Sequence, residues 1–172
     1  MTTAFTLRPW YIDDLPHLVH YANNQNIARF LTDQFPHPYT QADGQAFIAM
    51  ANRDHPARIL AIEIDGHAAG GIGIHPQSDI HRLNAELGYW LGEPYWGKGV
   101  ITSAIAQMIH FAFANLDVQR IFARPFGSNL ASQKVLEKNG FVLEARIPKV
   151  LIKNGSLEDE LIYGIRRSQW AR

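Results

Sequence analysis

Two runs of strand-type residues on either side of Asp65-Gly66 constrain the fold of this chain more than any other feature. The runs cover 59–64 and 69–74, and both carry repeated isoleucine. Asp-Gly between two such runs predicts a β-hairpin, because both residues accept the positive φ that a tight turn requires. A third strand-type run at 83–91 follows a polar loop, so the three runs predict an antiparallel meander.

Helical patterns precede this meander. A short strand is predicted at 5–8, and the acidic pair Asp13-Asp14 then opens a helix with apolar residues at helical spacing. Further helices are predicted at 27–31 and 41–53, separated by a proline-bearing loop at 32–39. In the last of these helices the residues expected to face inward are Ala46, Phe47 and Met50.

The second half of the chain predicts two more helices and three more strands. An apolar helical stripe begins at Val100, a strand follows at 118–123, and a helix at 129–138 ends at Asn139-Gly140. Two strands, at 141–152 and 157–165, complete the pattern around Asn154-Gly155. Together the elements predict a single α+β domain over residues 1–172, with a largely antiparallel sheet packed between helices.

Composition excludes several functional classes. Lys and Arg together number 16, as do Asp and Glu, so the net charge is zero with histidine neutral, which argues against a general nucleic-acid binder. The chain has no cysteine, hence no disulfide framework, thiolate metal site or cysteine nucleophile. No run of 18 uncharged apolar residues predicts a membrane span. These features favour a cytoplasmic protein with no membrane or nucleic-acid partner.

The glycine-rich turn after the third strand invites a nucleotide-binding interpretation. Residues 92–98 fit the first seven positions of the phosphate loop G-x-x-x-x-G-K, but Gly99 stands where Ser or Thr would bind Mg²⁺. The next strand, at 120–125, offers no acidic metal ligand, which a nucleoside triphosphatase of this class also needs. Gly71 and Gly73 lie inside the predicted hairpin with no helix after them, so they do not form a dinucleotide fingerprint.

Two interpretations of the turn remain. One is a glycine-rich connection between strand and helix that holds no ligand. The other is a metal-free anion cradle, in which backbone N–H groups around Gly97 and Gly99 and the positive end of the following helix attract a diphosphate. Lys98 either adds a point charge to that cradle or faces solvent.

Two stretches together resemble the GNAT (Gcn5-related) N-acetyltransferases, and within them the RimJ/RimL-like branch. Glu93-Pro-Tyr-Trp-Gly-Lys-Gly-Val-Ile-Thr102 resembles the pyrophosphate-binding segment R/Q-x-x-G-x-G/A. Trp96 takes the first motif position and Gly99 the central one, and Ile101 departs from the small residue expected last. The stretch 129–141 resembles the branch signature N-x-x-S-x-x-V-L-E-K-x-G-F.

The resemblance implies the GNAT fold, with a mixed, largely antiparallel sheet of about seven strands that is flanked by helices and splayed at the strand pair that binds CoA. It also implies acetyl-CoA as cosubstrate, without a metal. The implied cofactor contacts are the backbone of Tyr89, Trp90 and Leu91, the turn residues Trp96, Gly97, Lys98, Gly99, Val100, Ile101 and Thr102, and Asn129.

Catalysis in this family is direct attack of a primary amine on the thioester, which requires a neutral amine and a protonated or stabilised leaving thiolate. Glu86 matches a position where many members carry a base or a water-relay carboxylate, and its alternative is a solvent-facing strand residue. Ser132 matches the thiol proton donor of the RimL-like pattern, and its alternative is a helix residue that bonds backbone. Leu136 replaces the tyrosine that many members use as the acid.

The acceptor stays open at this stage. A protein N-terminus and a small-molecule amine such as a polyamine, amino sugar or amino-acid derivative are both compatible, as is a non-catalytic module that only binds acyl-CoA. The family layout places Phe35, His37 and Tyr39 along the acceptor site, and it allows a homodimer. His17 and His20 share a face of the predicted helix as candidate metal ligands, but the sequence shows no obvious third ligand. The acidic run 158–160 either attracts an amine-bearing substrate or is a solvated turn.

Overall fold

The computed structural model describes residues 3–170. Its strands are β1 (Thr6–Arg8), β2 (Ile59–Ile64), β3 (His67–Pro76), β4 (Asn84–Leu91), β5 (Arg120–Ala123), β6 (Val142–Lys153) and β7 (Ser156–Arg166). Its helices are α1 (Leu15–Ala22), α2 (Gln25–Ala28), α3 (Gln41–Ala51), α4 (Val100–Asn115), α5 (Leu130–Lys138) and α6 (Arg167–Trp170). Short 3₁₀ turns lie at Ile12–Asp14, Asp79–His81 and Glu93–Tyr95.

The seven strands form one mixed sheet in the order β1-β2-β3-β4-β5-β7-β6, flanked by helices. The pairs β1–β2, β2–β3, β5–β7 and β6–β7 are antiparallel, whereas β4 and β5 are parallel. The α+β class and the strand number predicted from the sequence are therefore confirmed. The parallel ladder of β4 with β5 comprises Asn84, Ala85 and Glu86, so the predicted cofactor-binding end of β4 lies beyond that ladder.

Both predicted hairpin turns adopt the left-handed backbone that their residues favour. Asp65 and Gly66 have φ of 51° and 78°, and Asn154 and Gly155 have φ of 50° and 77°. Two consecutive residues of positive φ match the twist of the flanking strands, which is why Asp-Gly and Asn-Gly lead among two-residue hairpins. The β2–β3 hairpin and the C-terminal hairpin predicted from these dipeptides are confirmed.

The chain divides into two compact units. Among the described residues, the first comprises 3–73 together with Tyr89–Ala104, and the second comprises Ile74–Gly88 together with 105–170. That the whole chain folds as one domain stays a prediction. Residues at the core of the first unit include Trp10, Leu18, Ala22, Ile27, Tyr39, Ile48, Ala51, Ile59, Ala61, Ala68 and Trp90. Buried residues of the second unit include Ala85, Leu87, Ile105, Met108, Ile109, Ile121, Leu136, Leu161, Tyr163 and Ile165.

The inward face of α3 differs from the one expected. Its buried residues are Gly44, Ile48 and Ala51, whereas Ala46 is exposed and Met50 is 37% exposed. The physical reason is a close helix contact at Gly44, where a Cβ would lie 2.6 Å from Leu15 Cδ1, so the glycine side of α3 faces α1. Phe47 was placed correctly at the margin of the core, where its ring meets Trp10 edge-on at 5.2 Å.

A buried carboxylate ties the start of the chain together. Both oxygens of Asp14 accept hydrogen bonds from Arg8, at 2.7 and 2.8 Å, and Tyr11 N–H donates to Asp14 Oδ2 at 2.8 Å. Arg8 also pairs with Glu63 on β2. Burial works to raise the pKa of Asp14, but the hydrogen bonds from Arg8 and Tyr11 outweigh it and hold that pKa below its ordinary value.

Arg167 binds three carbonyls at and just beyond the C-terminal end of α4. Arg167 donates to the carbonyl oxygens of Leu116 at 2.9 Å and of Val118 at 3.0 and 2.8 Å, and it also bonds the carbonyl of Phe113. The last carbonyls of a helix lack intrahelical donors and form the negative end of its dipole, so a cation there is stabilising.

No helix within residues 3–170 combines the length and the apolar character that crossing a membrane would require.

Candidate cofactor-binding and catalytic site

The turn between β4 and α4 carries two glycines in the left-handed conformation. Gly97 has a φ of 72° and Gly99 a φ of 78°, values that branched residues adopt only with strain. Residues 96–99 are exposed, whereas Val100, the first residue of α4, is buried. The chain therefore turns sharply at the surface directly before a buried helix start.

The backbone amides of this turn are available as donors. Within residues 3–170, the N–H groups at 97–102 donate to no backbone carbonyl, and the next amide, that of Ser103, donates to Gly99 O at 3.1 Å. The first N–H groups of a helix lack intrahelical acceptors and carry the positive end of its dipole. Successive amides around left-handed residues form a concave anion site. The turn can therefore hold a diphosphate through backbone donors alone.

Trp96 uses its polar group within the protein. The indole N–H donates to Leu91 O at 2.7 Å, which closes the 3₁₀ turn between the two residues. The ring is 43% exposed. The indole N–H is thus committed to holding the turn, so a contact of Trp96 with the cofactor would come from its ring or its backbone. One of the two lone pairs of the Leu91 carbonyl is also occupied, which leaves one for the predicted pantetheine pairing.

Two further contacts fix the 3₁₀ turn against the first helices. Glu93 accepts hydrogen bonds from Asn24 Nδ2 at 2.7 Å and from Asn26 Nδ2 at 3.2 Å, and these bonds lower the pKa of Glu93. The hydroxyls of Tyr95 and Tyr21 lie 3.2 Å apart, and this hydrogen bond, with some burial, raises the pKa of Tyr95 to about 12. Sequence reasoning missed both contacts because they join residues about 70 positions apart.

The remaining turn residues lie where a ligand could reach them. The ammonium of Lys98 sits 5.6 Å from the centroid of the Tyr95 ring on the exposed surface. Ile101 and Thr102 are half-buried in the first turn of α4. The Ile101 side chain is therefore partly packed and partly exposed in the first turn of α4.

Glu86 is paired with a guanidinium in the second unit. Arg124 Nε donates to Glu86 Oε1 at 2.9 Å and Arg124 Nη2 to Glu86 Oε2 at 3.0 Å, and the Glu86 side chain is 26% exposed. This pairing is the first cause of a raised pKa for Arg124. A carboxylate has about four lone-pair sites, so two stay open beside the bidentate pair. Both the base role of Glu86 and its solvent-facing alternative stay predictions.

Asn129 caps the helix that contains Ser132. Its Oδ1 accepts a hydrogen bond from Ser132 N–H at 3.1 Å, so the Asn129 carbonyl oxygen serves the helix N-terminus. Any donation from Asn129 to a cofactor would use its side-chain NH₂ or its backbone. Ser132 is half-buried in the first turn of α5, and Leu136 is fully buried one turn later. The position of the commoner tyrosine acid is therefore part of the hydrophobic core.

The family is decided by comparison with known proteins. The model of the acetyltransferase (GNAT) domain family matches residues 4–142. This chain belongs to the GNAT acetyltransferase family. The Bacillus subtilis protein YdaF is 33% identical over 106 residues, which cover 62% of this chain and 57% of YdaF. The match thus spans little more than half the length of this curated relative.

Solved structures share the GNAT fold across nearly the whole chain. The ribosomal L7/L12 α-N-protein acetyltransferase RimL in complex with coenzyme A superposes with a TM-score of 0.84 at 22% identity, covering 96% of this chain and 95% of RimL. The spermidine N-acetyltransferase of Vibrio cholerae, in complex with CoA and spermine, gives a TM-score of 0.81 at 22% identity and covers 98% of each chain. The fold expected from the sequence is confirmed.

The GNAT site residues predicted from the sequence fall into both units. The end of β4 with Tyr89, Trp90 and Leu91, and the turn residues 96–102, lie in the first unit, whereas Glu86, Asn129 and Ser132 lie in the second. Their roles stay predictions. The contacts that sequence reasoning missed are Trp96 with Leu91, Glu93 with Asn24 and Asn26, Tyr95 with Tyr21, and Glu86 with Arg124.

The loop residues and histidines considered from the sequence have defined neighbours. Tyr39 is 5% exposed and belongs to the core of the first unit, where the centroid of its ring lies 5.1 Å from that of Phe35, and its place at an acceptor site stays a prediction. His17 stacks on His67 with ring centroids 4.0 Å apart. In the part of the chain that the structure describes, no group of three or more His, Asp or Glu side chains is arranged to hold a metal.

Proposed function

We propose that this protein is an N-acetyltransferase that moves an acetyl group from acetyl-CoA to a primary amine. The observation that carries the proposal is the turn at 97–102 in a GNAT-family chain, where backbone donors precede a buried helix start and Gly97 and Gly99 adopt positive φ. An anion cradle of this kind is suited to the diphosphate of CoA and needs no cation.

We infer the roles of the chain's own residues from the GNAT resemblance. Amides at 97–102 hold the diphosphate, and the backbone of Tyr89, Trp90 and Leu91 pairs with the extended arm of the cofactor. Asn129 contacts that arm through its side-chain NH₂. The acceptor nitrogen forms a bond to the acetyl carbon as the carbon–sulfur bond breaks. Glu86, directly or through water, accepts the proton lost by the amine, and Ser132 or water supplies one to the departing sulfur.

A protein N-terminus is the acceptor we favour. An N-terminal amine has a pKa of about 7.7–8.0, against about 10.4 for an alkyl amine of the lysine type, so it needs much less help from a base. The RimL structure, named as an α-N-protein acetyltransferase, is consistent with this choice.

A small-molecule amine is the second candidate. The neighbour from Vibrio cholerae is named as a spermidine N-acetyltransferase and was solved with spermine.

We place the reaction in the cytoplasm, with neither nucleic acid nor membrane as partner, and a homodimer is the proposed assembly.

An acceptor panel tests the proposal. The purified chain is incubated with acetyl-CoA and, separately, peptides with free N-termini, the same peptides with blocked N-termini, spermidine, amino sugars and amino acids, and products are detected by mass. We expect a gain of one acetyl group on free N-termini and none on the blocked peptides. Turnover of spermidine alone would favour the second candidate, and acetyl-CoA binding without turnover of any amine would contradict the enzymatic proposal.

Replacement of Ser132 by alanine tests the proton donor. We expect Ser132→Ala to lower kcat about a hundredfold, the low end of what general acid catalysis contributes, with little change in the dissociation constant of acetyl-CoA. The Asn129 cap uses the backbone N–H of residue 132, which alanine retains, so the helix start should survive. Steady-state kinetics and calorimetric binding measure the two quantities. Full activity in the variant would remove Ser132 from the acid role and leave it to water.

A further inference from the structure

Arg124 joins carboxylates from two strands. Its Nε and Nη2 donate to the two oxygens of Glu86 at 2.9 and 3.0 Å, and its Nη1 lies 3.6 Å from Glu160 Oε1. We propose that Arg124 is a positioning residue, which fixes the orientation of the Glu86 carboxylate for the acceptor amine. The inference rests on the proposed function and adds to it a residue that the GNAT motifs of this sequence do not include.

The strand register places these groups on one face of the sheet. Glu86 pairs with Phe122 across β4 and β5, and Phe122 pairs with Gly164 across β5 and β7. Side chains alternate between faces along a strand, so Arg124 shares the face of Phe122, and Glu160 shares that of Gly164. Arg124 therefore lies between two carboxylates of this face, just after the parallel strand β5 ends.

A bidentate pair fixes a carboxylate in a way that a single contact does not. The terminal torsion of a glutamate side chain is broad and roughly two-fold, so an unpaired carboxylate samples many orientations. The planar fork of arginine matches both oxygens at once and adds geometric specificity to the charge. The open lone pairs of Glu86 are then presented in one direction, which is what proton transfer from a bound amine requires.

Charge and orientation make opposite predictions for a variant. Glu86, Arg124 and Glu160 together carry a net charge of −1 when all three are ionised, and removal of the cation makes it −2. A cationic acceptor should therefore bind as well or better to Arg124→Gln, whereas the loosened carboxylate should transfer the proton less efficiently. The inference thus predicts an unchanged or lower acceptor KM together with a lower kcat.

The test compares two acceptors with three variants at pH 8. One acceptor peptide offers an N-terminal amine, with a pKa of about 7.7–8.0, and the other offers only a lysine-type amine, with a pKa of about 10.4. For Arg124→Gln we expect kcat to fall about tenfold with the lysine-type amine and less than about threefold with the N-terminal amine, because the latter is already largely neutral. Arg124→Lys keeps the charge without the fork, so its kcat should stay low.

Arg120 provides the matched control. It lies on β5 and pairs with Glu144 on β6 and with Asn84 Oδ1, at 3.0 Å, but makes no hydrogen bond or ion pair with Glu86 among the contacts of the described chain. We expect Arg120→Gln to keep the wild-type kcat with both amines. Unfolding temperatures of all three variants report any general loss of structure.

Three results would overturn the inference. These are a wild-type kcat in Arg124→Gln, an equal loss with both amines, and full recovery in Arg124→Lys, because the last would show that charge alone suffices. If the wild-type chain acetylates no amine, the proposed function fails and this inference with it. Wild-type turnover combined with any of the three results removes the positioning role and leaves the proposed function standing.

Discussion

Gly99→Val is expected to raise the dissociation constant of CoA about a hundredfold, which corresponds to about 2.7 kcal/mol. Gly99 has a φ of 78°, and a branched residue at that φ costs on the order of 1–3 kcal/mol. The turn relieves this strain by moving, and the amides on either side of residue 99 then lose their common direction. Each charge-assisted hydrogen bond lost contributes about 1.5–3 kcal/mol, so one or two losses account for the effect.

A second glycine separates the effect on binding from the effect on folding. Gly66 has the same φ of 78°, and no atom lies within 4 Å of a Cβ built there. Gly66→Val should therefore lose about as much unfolding free energy as Gly99→Val while it binds CoA like the wild type. Calorimetric titration with CoA and denaturant unfolding measure the two quantities. Unchanged CoA affinity in Gly99→Val would contradict the cradle.

Arg8→Met is expected to lower the free energy of unfolding by about 3 kcal/mol at neutral pH, the lower end of the range for breaking a buried ion pair. The side chains of Arg8 and Asp14 are 16% and 9% exposed, so the variant leaves the Asp14 carboxylate largely buried without its cation. Methionine keeps most of the apolar stem of the arginine, which limits the loss of packing. Denaturant unfolding followed by circular dichroism measures the difference.

The pH dependence of this loss has a definite sign. Arg8 helps to hold the pKa of Asp14 below its ordinary value. The pair therefore stabilises the folded wild type at pH values above the unfolded-state pKa of about 3.9. That stabilisation disappears as the pH falls through the folded-state pKa. In Arg8→Met the buried carboxylate is relieved by protonation. The difference in unfolding free energy should therefore be largest above about pH 5 and should narrow below about pH 4.

An exposed ion pair serves as the control for Arg8. Arg58 pairs with Asp54 four residues earlier, and the two side chains are 30% and 41% exposed. Exposed pairs contribute about 0–1 kcal/mol, so Arg58→Met should change the unfolding free energy only slightly. An equal loss in both variants would show that burial of Asp14 is not the cause.

Local sequence signals predicted much of the fold. The dipeptides Asp65-Gly66 and Asn154-Gly155 specify both hairpins because their backbone preference matches the turn that joins twisted strands. Asn139-Gly140 ends α5 for a related reason, with Gly140 at a φ of 81°. These features are set by one or two residues and do not depend on distant packing, so the sequence alone suffices for them.

Tertiary contacts explain what local patterns missed. The helix predicted at 27–31 is α2, which begins earlier because the Asn24 side chain accepts from Asn26 N–H at 2.8 Å and caps it. The face of α3 was misassigned because Gly44, which carries no hydrophobic signal, makes the closest contact with α1. Spacing along the chain cannot identify a close contact that depends on the absence of a side chain.

The candidate site shows the same contrast between local features, which the sequence predicts, and contacts between distant residues, which it does not. The glycine turn was found from sequence because its function depends on backbone conformation, which glycine determines locally. The pairing of Glu86 with Arg124 and of Glu93 with Asn24 joins residues 38 and 69 positions apart. Such pairs have no periodicity, so only the folded chain brings them into view.

The hydrogen bonds donated by Arg167 limit how far the chain can be shortened at its C-terminal end. Arg167 binds the carbonyl of Phe113, in the last turn of the helix whose first turn supplies the candidate diphosphate donors, and the carbonyls of Leu116 and Val118 just beyond that helix. Removal of the residues from Ser168 onward leaves Arg167 in place. Removal from Arg166 onward also deletes Arg167, so the carbonyls that it binds lose their cation. Tags and fusions are therefore best attached beyond Trp170.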